Sequence, residues 1–481
     1  MATADSISYA AAAPAVDRHP RGLYVLFATE MWERFSFYSM LALFTLYLQD
    51  TVQGFGWARA DATRLYSWYL ALVYFSPLVG GIIADRKLGY RKSVMVGGFF
   101  FMAGHLLLSF PIVWVMYLAL ICLVIGNGFF KPNVSAMVGK LYQEGSHLKD
   151  RAYNIFYMGI NVGAFVAPIV MEVVKQKVGY HPAFAVAAGG MVVSVATLAL
   201  FKRHVLQADI TPGEKKKPEL VKDPKLSAVT ADAPPIEPDS AHSHARVHPI
   251  DLVSDAKRIG ALIAVFVIVI VFWMAFHQNG ATWTYWANDN TDWGASSVVP
   301  IIIGIFTLGL IDGSDVSGVI SNAINPFFVI VLTFPLIWFW GWLDKKGKEP
   351  STPTKMGIGM LLVATAYLIM QQAALAGGNT GRVSPWWLIS AYGVITLGEL
   401  MLSPMGLSLV SKVAPVRMRG LMMGGWFAAT AVGNYLVGTI GVKWTVWSHS
   451  KFFLVVAVMS AVVGLILFMV LKPLKRAMPG V

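Results

Sequence analysis

The chain is built from apolar runs of about 20 residues, the length a helix needs to cross the ~30 Å hydrocarbon core of a bilayer. Such runs recur along most of its 481 residues. In lipid every backbone N–H and C=O must be satisfied internally, which leaves helices or a closed barrel. A barrel would show short segments of alternating hydrophobicity, and the sequence has none. Composition agrees, with 56% hydrophobic residues, 13% charged residues and a mean hydropathy of +0.60. The expected fold class is all-α: a polytopic membrane protein with 12 transmembrane helices.

Six spans are expected before a polar linker, at roughly 22–49, 63–84, 93–110, 112–141, 151–174 and 182–203. Six follow it, at roughly 256–283, 321–343, 355–376, 385–411, 418–443 and 449–471. The expected organisation is an N-terminal tail at 1–20, a six-helix bundle at 21–204, a linker at 205–254, a second bundle at 255–473 and a tail at 474–481. The linker is Pro-rich, charged and non-periodic, as a solvated connector should be. His242, His244 and His248 lie in it, at a spacing that fits no defined metal site.

The net charge is +12. Its basic residues cluster in loops, which points to membrane topology rather than nucleic acid. Arg86, Lys87, Arg91 and Lys92 follow span two; Lys140, Lys149 and Arg151 follow span four. Lys345, Lys346 and Lys348 follow span eight, and Arg417 and Arg419 follow span ten. The loop from 284 to 320 has no Lys or Arg. An even span count with both termini cytoplasmic satisfies this pattern. The first 20 residues lack the apolar core of a cleavable signal, so the first span itself should target the chain. The single cysteine, Cys122, excludes an intramolecular disulfide. The run "PIIIGIFTLGL" (300–310) is too short to span and is expected to pack at the outer face.

The two halves echo each other. "GGIIADRKLGYRK" follows span two and "GWLDKKGKEPSTPTK" follows span eight. A repeat of six-span halves points to a two-bundle transporter with its site between the bundles, near the midplane.

Charges inside the spans sharpen this reading. In "ATEMWERFSFYSM" (28–40), Glu30, Glu33, Arg34, Phe37, Tyr38 and Leu41 share one helical stripe. Lone charges in hydrocarbon are costly, so the stripe must face the bundle interior. Glu30 and Arg34, at i and i+4, are placed to pair, which leaves a surplus carboxylate suited to exchanging a proton. The bland alternative is a structural ion pair locking two helices. Span four carries Lys131 beside Pro132, span seven carries Trp273, His277 and Gln278, and span ten carries Glu399 with Ser403 four residues on. His277 on its own would usually be a hydrogen-bonded structural residue. Glu399 could instead partner Lys131 or Arg34 across the bundles. Tyr38, Tyr74, Tyr157, Trp273 and Trp426 accompany these charges as pocket candidates.

In order along residues 30 to 436, the segments "EMWERF", "GGIIADRKLG", "GNGFFKPN", "FYMGINVGA", "INP", "TLGELMLSPMGLS" and "GGWFAATAVGNYL" are similar to the signature segments of one family. The chain resembles the proton-dependent oligopeptide transporter family of the major facilitator superfamily. The resemblance implies a symporter importing di- and tripeptides, driven by protons, in the cell inner membrane. Protons are the coupling ion, and no other cofactor is implied. It assigns Glu30, Glu33, Arg34 and Lys131 to proton coupling and to the peptide carboxylate. Glu399, with Ser403 beside it, would hold the peptide ammonium. Asn161 and Asn325 would bond the peptide backbone, while Tyr38, Tyr74, Tyr157, Trp273 and Trp426 would line side-chain pockets. Asp85 and Arg86, in the loop after span two, join the coupling and gating group.

The departures from the family pattern are specific. Many members have Glu where this chain has His277 and Arg where it has Leu41, so a pair joining spans one and seven is missing. His277 is then a candidate titrating substitute, with an unperturbed pKa of about 6.5. Phe37 replaces the first Tyr of the family signature. The linker is too polar to supply the two extra helices many relatives carry. Competing readings are the same fold moving nitrate or another small anion, and a peptide sensor without transport. No nucleophile triad or metal cluster supports an enzyme.

Overall fold

The computed structural model describes residues 18–143, 146, 148–209 and 253–478. The region holding His242, His244 and His248 lies outside them. The described residues form helices α1 (Arg21–Gln49), α2 (Arg59–Ile83), α3 (Tyr90–Leu107), α4 (Val113–Lys140), α5 (Leu148–Val178) and α6 (Tyr180–Leu200). The second half contains α7 (Asp255–Phe276), α8 (Thr282–Asp289), α9 (Val299–Phe306), α10 (Ile324–Lys345), α11 (Thr352–Gly377), α12 (Pro385–Val413), α13 (Arg419–Gly441), α14 (His449–Met469) and α15 (Leu471–Ala477). Among the described residues, nine helices are long and apolar enough to cross a membrane. The protein is a multi-pass helical membrane protein. Helix α1 stays outside that set, and its interior carries Glu30, Glu33 and Arg34.

Close helix crossings depend on small residues, which let backbones touch where side chains would hold them apart. A Cβ on Gly97 of α3 would lie 2.7 Å from the Gly126 carbonyl oxygen of α4. In the second half, a Cβ on Gly359 of α11 would lie 2.9 Å from the Gly398 carbonyl oxygen of α12. The same crossing thus recurs in both halves, a structural counterpart of the sequence echo. Helix α2 meets α4 even more tightly: a Cβ on Gly80 would fall 1.9 Å from the Gly128 carbonyl oxygen. That carbonyl lies four residues before Pro132, which has no N–H to give it.

The two ends of the molecule differ. At one end the loops after α2, α4 and α6 converge. Arg91 bonds Asp209 at 2.8 Å, and a Cβ on Gly22 would touch both His204 and Leu141. The start of α7 and the end of α12 meet there too, through Arg417–Asp255 at 2.9 Å and Arg258 Nε to the Val413 carbonyl at 2.7 Å. This is the basic end. Residues 205–208, expected to belong to the linker, continue with 202–204 as short turns in which Val205 and Ala208 are buried.

At the opposite end the halves are sewn together. Arg59 of α2 pairs with Asp289 of α8 at 2.8 Å, and the Thr63 and Tyr285 hydroxyls lie 2.9 Å apart. Thr45 donates to the Gly280 carbonyl at 3.3 Å, and Gln176 of α5 to the Asp315 carbonyl at 2.7 Å. Along α10, in contrast, no residue beyond Val329 is buried up to Lys345. The halves are therefore closed at the end opposite the basic loops, and α10 stands clear toward the basic end.

Two expectations about the second half are refined. Span seven is not one helix over 256–283. It ends at Phe276, turns through residues 277–280 and resumes as α8. Gly280 lets Tyr66 of α2 pack against this turn, because a Cβ there would lie 1.9 Å from the Tyr66 hydroxyl. The 300–310 run forms the short helix α9 and closes with Leu308 at φ 54 and Gly309 at φ 68. Its Phe306 meets Phe165 of α5 edge-on at 5.2 Å, while Ile301, Ile305 and Leu308 are exposed.

Candidate functional site

The stripe on α1 faces inward as its charges require. Glu30, Glu33 and Arg34 are 1%, 0% and 3% exposed, which leaves them no water to share their charge. The spacing pointed to Glu30 as the partner of Arg34, and that pair forms at 3.2 Å. The stronger contact comes from the adjacent Glu33. Both its oxygens accept from the guanidinium, Oε1 from Nη2 at 2.6 Å and Oε2 from Nε. Neighbouring residues diverge on a helix, but the long Arg side chain folds back to reach Glu33. Asn127 of α4 adds a longer contact to Arg34 Nη2 at 3.5 Å and donates to the Val73 carbonyl of α2 at 2.7 Å. One amide therefore ties the guanidinium to two further helices. Glu30 Oε2 is buried with no hydrogen-bond partner.

Lys131 enters from α4. Its ammonium lies 4.7 Å from the Tyr74 ring centroid and within electrostatic range of Glu30, Glu33 and Arg34. The N-terminal half thus presents two cations against two carboxylates. The bidentate Arg34–Glu33 contact is charge-assisted in a dry setting, where such bonds are strong.

The C-terminal half presents one carboxylate. Glu399, half-buried on α12, accepts from Asn325 Nδ2 of α10 at 2.9 Å, and the same amide nitrogen donates to Thr396 Oγ1 at 2.9 Å. Neither Arg34 nor Lys131 is Glu399's ion-pair partner, so the cross-bundle pairing weighed from the sequence does not form here. Tyr38 and Tyr74 each lie within electrostatic range of both Arg34 and Glu399, and Tyr157 within range of Glu399. Tyr38 and Tyr74 thus lie between the two poles, with Tyr157 on the Glu399 side. Asn161 donates to the Tyr157 carbonyl of its own helix at 2.9 Å.

His277 stacks on Trp273 with centroids 4.8 Å apart and planes 16° apart, and it also touches the Tyr74 ring at 5.4 Å. Its Nδ1 bonds Asn434 Oδ1 of α13. Trp273 Nε1 and Asn434 Nδ2 are buried without partners. His277 lies in the turn after α7, where its ring joins α13 to the Tyr74–Lys131 group.

Not every expected residue converges. Trp426, 4% exposed, packs into the C-terminal half beside Phe266, and a Cβ on Gly406 would collide with its ring. Ser403 sits one helical turn beyond Glu399 on α12. Asp85 and Arg86 are exposed in the turn that extends α2, 11 and 12 residues past Tyr74, or about 16 Å along a helix. They belong to the basic end. Asn127 and Asn434 were missed by sequence reasoning. Both occur in quoted motifs, "GNGFFKPN" and "GGWFAATAVGNYL", but nothing local distinguishes an Asn that grips a site residue from one that caps a turn.

Comparisons with known proteins identify the family. The model of the POT family matches residues 91–219 and 240–453. A di-/tripeptide transporter of Lactococcus lactis subsp. cremoris is 32% identical over 505 residues, covering 96% of this chain and 97% of that protein. The peptide transporter YePEPT of Yersinia enterocolitica subsp. palearctica is 32% identical over 464 residues, covering 88% of each. Among solved structures, the peptide transporter POT in complex with sulfate superposes with a TM-score of 0.79 at 29% identity, covering 96% of each chain. A family match over most of the chain, a shared fold and this ordered set of intramembrane charges support one conclusion: the chain belongs to the POT family.

Proposed function

We propose that the protein is a proton-coupled symporter that imports di- and tripeptides by alternating access of two six-helix bundles, with 12 spans in all. The observation that carries this reading is the division of charge. Arg34 and Lys131 lie on one half and Glu399 on the other, with tyrosines and amides between them. A zwitterionic peptide has a complementary distribution, with a carboxylate for the cations, an ammonium for Glu399 and amides for Asn161 and Asn325. Adaptable aromatic walls then tolerate diverse side chains. The resemblance to named di-/tripeptide transporters supports the same cargo.

In this reading Glu30 or Glu33 accepts a proton while the cavity faces outward. Its hold on Arg34 weakens, and the guanidinium turns to the peptide carboxylate. A peptide bridging Arg34 and Lys131 to Glu399 ties the halves together and favours occlusion. Proton loss to the cytoplasm restores the Glu33–Arg34 contact and releases the peptide. Asp85 and Arg86 act at the basic end, which we place in the cytoplasm with both termini. The membrane is the cell inner membrane. Glu399 argues against the small-anion reading, because it would repel a nitrate. A thermal-shift assay on purified protein separates the two: dialanine should raise the melting temperature and nitrate should not. Stabilisation by nitrate alone would reverse the assignment.

A further inference from the structure

Among the described residues the buried acids are Glu30, Glu33 and Glu172. The first two form the α1 site, and the third is unused by it. Glu172 lies near the end of α5 and is 0% exposed. A buried carboxylate is tolerable only when its oxygens are satisfied, and this one is saturated. Oε1 accepts from the Ser317 backbone N–H at 2.8 Å and from Gln176 Nε2 at 2.8 Å. Oε2 accepts from the Ser317 hydroxyl at 2.6 Å and from Lys175 Nζ at 3.2 Å. Two of the donors belong to the other half of the molecule. Ser317 starts the turn of residues 318–323 that leads into α10. That turn cannot retreat into α8, because a Cβ on Gly318 would lie 2.2 Å from the Thr284 carbonyl oxygen. Asn288 of α8 also accepts from the Gly318 N–H at 3.2 Å.

Other contacts also close this end, and the ion pair among them is partly open to solvent. Arg59 and Asp289 are each about one-third exposed, so solvent screens their attraction. Leu41 and His277 cannot form an ion pair. We propose that Glu172 is the gate residue of this end: its carboxylate holds the start of α10 against α5 and must release Ser317 in every transport cycle. The proposal rests on the alternating-access reading above, which makes this the outer gate.

The test uses the full chain in liposomes, with Cys122→Ser removing the sole native thiol. Gln176→Cys and Asp315→Cys place a reporter pair between α5 and the segment that leads into α10, to be bridged by a short bifunctional thiol reagent. Bridging should abolish dialanine uptake. Adding Glu172→Gln, which keeps side-chain shape, should slow bridging at least fivefold. Ser317→Ala, which keeps the backbone donor, should slow it by a smaller factor and serves if the Gln variant does not fold. Bridging at the parent rate in the variants, or unimpaired uptake by bridged protein, would overturn the gate. If the chain carrying Cys122→Ser alone, with Gln176 and Asp315 intact, carries no dialanine, the substrate reading fails, while the bridging rates still decide the role of Glu172.

Discussion

Replacing Glu399 with Gln tests the positive pole of the site. Gln preserves shape and can still pair with Asn325, which now holds Oε2 at 2.9 Å. What disappears is the charge offered to a peptide ammonium. A hydrogen bond between charged groups is worth about 1.5–3 kcal/mol. Glu399 is only half-buried, so screening brings the expected loss toward the lower end, about 1.5 kcal/mol or roughly tenfold in affinity. An N-acetylated peptide has no ammonium and should lose little. The assay is competition against labelled dialanine uptake by free and by N-acetylated dialanine. The preference of the parent for the free amine should fall about tenfold in Glu399→Gln, mainly through weaker binding of the free peptide. Equal weakening of both competitors would refute amine recognition by Glu399 and reduce it to a packing partner of Asn325.

Glu33→Gln removes one charged oxygen of the bidentate contact with Arg34; gradient-driven accumulation should vanish while counterflow exchange persists, and accumulation at the parent level would remove Glu33 from coupling. If His277 takes the place of the missing acidic partner as a titrating group, His277→Gln should shift the pH profile of uptake; an unchanged profile would make the residue, held through Nδ1 by Asn434, a structural link between α7 and α13. Gly80→Ala drives a methyl into the Gly128 carbonyl at 1.9 Å and should destabilise the N-terminal half by about 1–3 kcal/mol, read as a lower melting temperature in detergent. A melting temperature equal to the parent's would show that the α2–α4 crossing can relax.

The helices were legible because lipid imposes one rule on every backbone group, and the apolar runs announce where it applies. The inward face of α1 was legible for the same reason: Glu30, Glu33 and Arg34 have nowhere else to go. The identity of the tight partner was not. A spacing rule favours Glu30, but side-chain length and burial favour Glu33. The break after Phe276 was hidden because the apolar run continues through it, and the packing of Tyr66 from another helix against Gly280 leaves no local mark. Glu172 carried the same signal as Glu30, an acid in an apolar run, yet its partner Ser317 is 145 residues away. Contacts between halves are set by how the bundles meet, and no local pattern records that. The roles of Asn127 and Asn434 were invisible on the same ground.

The central claim is that proton movement drives peptide accumulation. Its most direct test is uptake of labelled dialanine into liposomes containing the purified protein, with acid outside and a negative interior potential. Accumulation above the equilibrium level, abolished by an uncoupler, is the predicted result. Folded protein that binds dialanine yet only equilibrates it, or does not move it, under the same gradients would contradict the account.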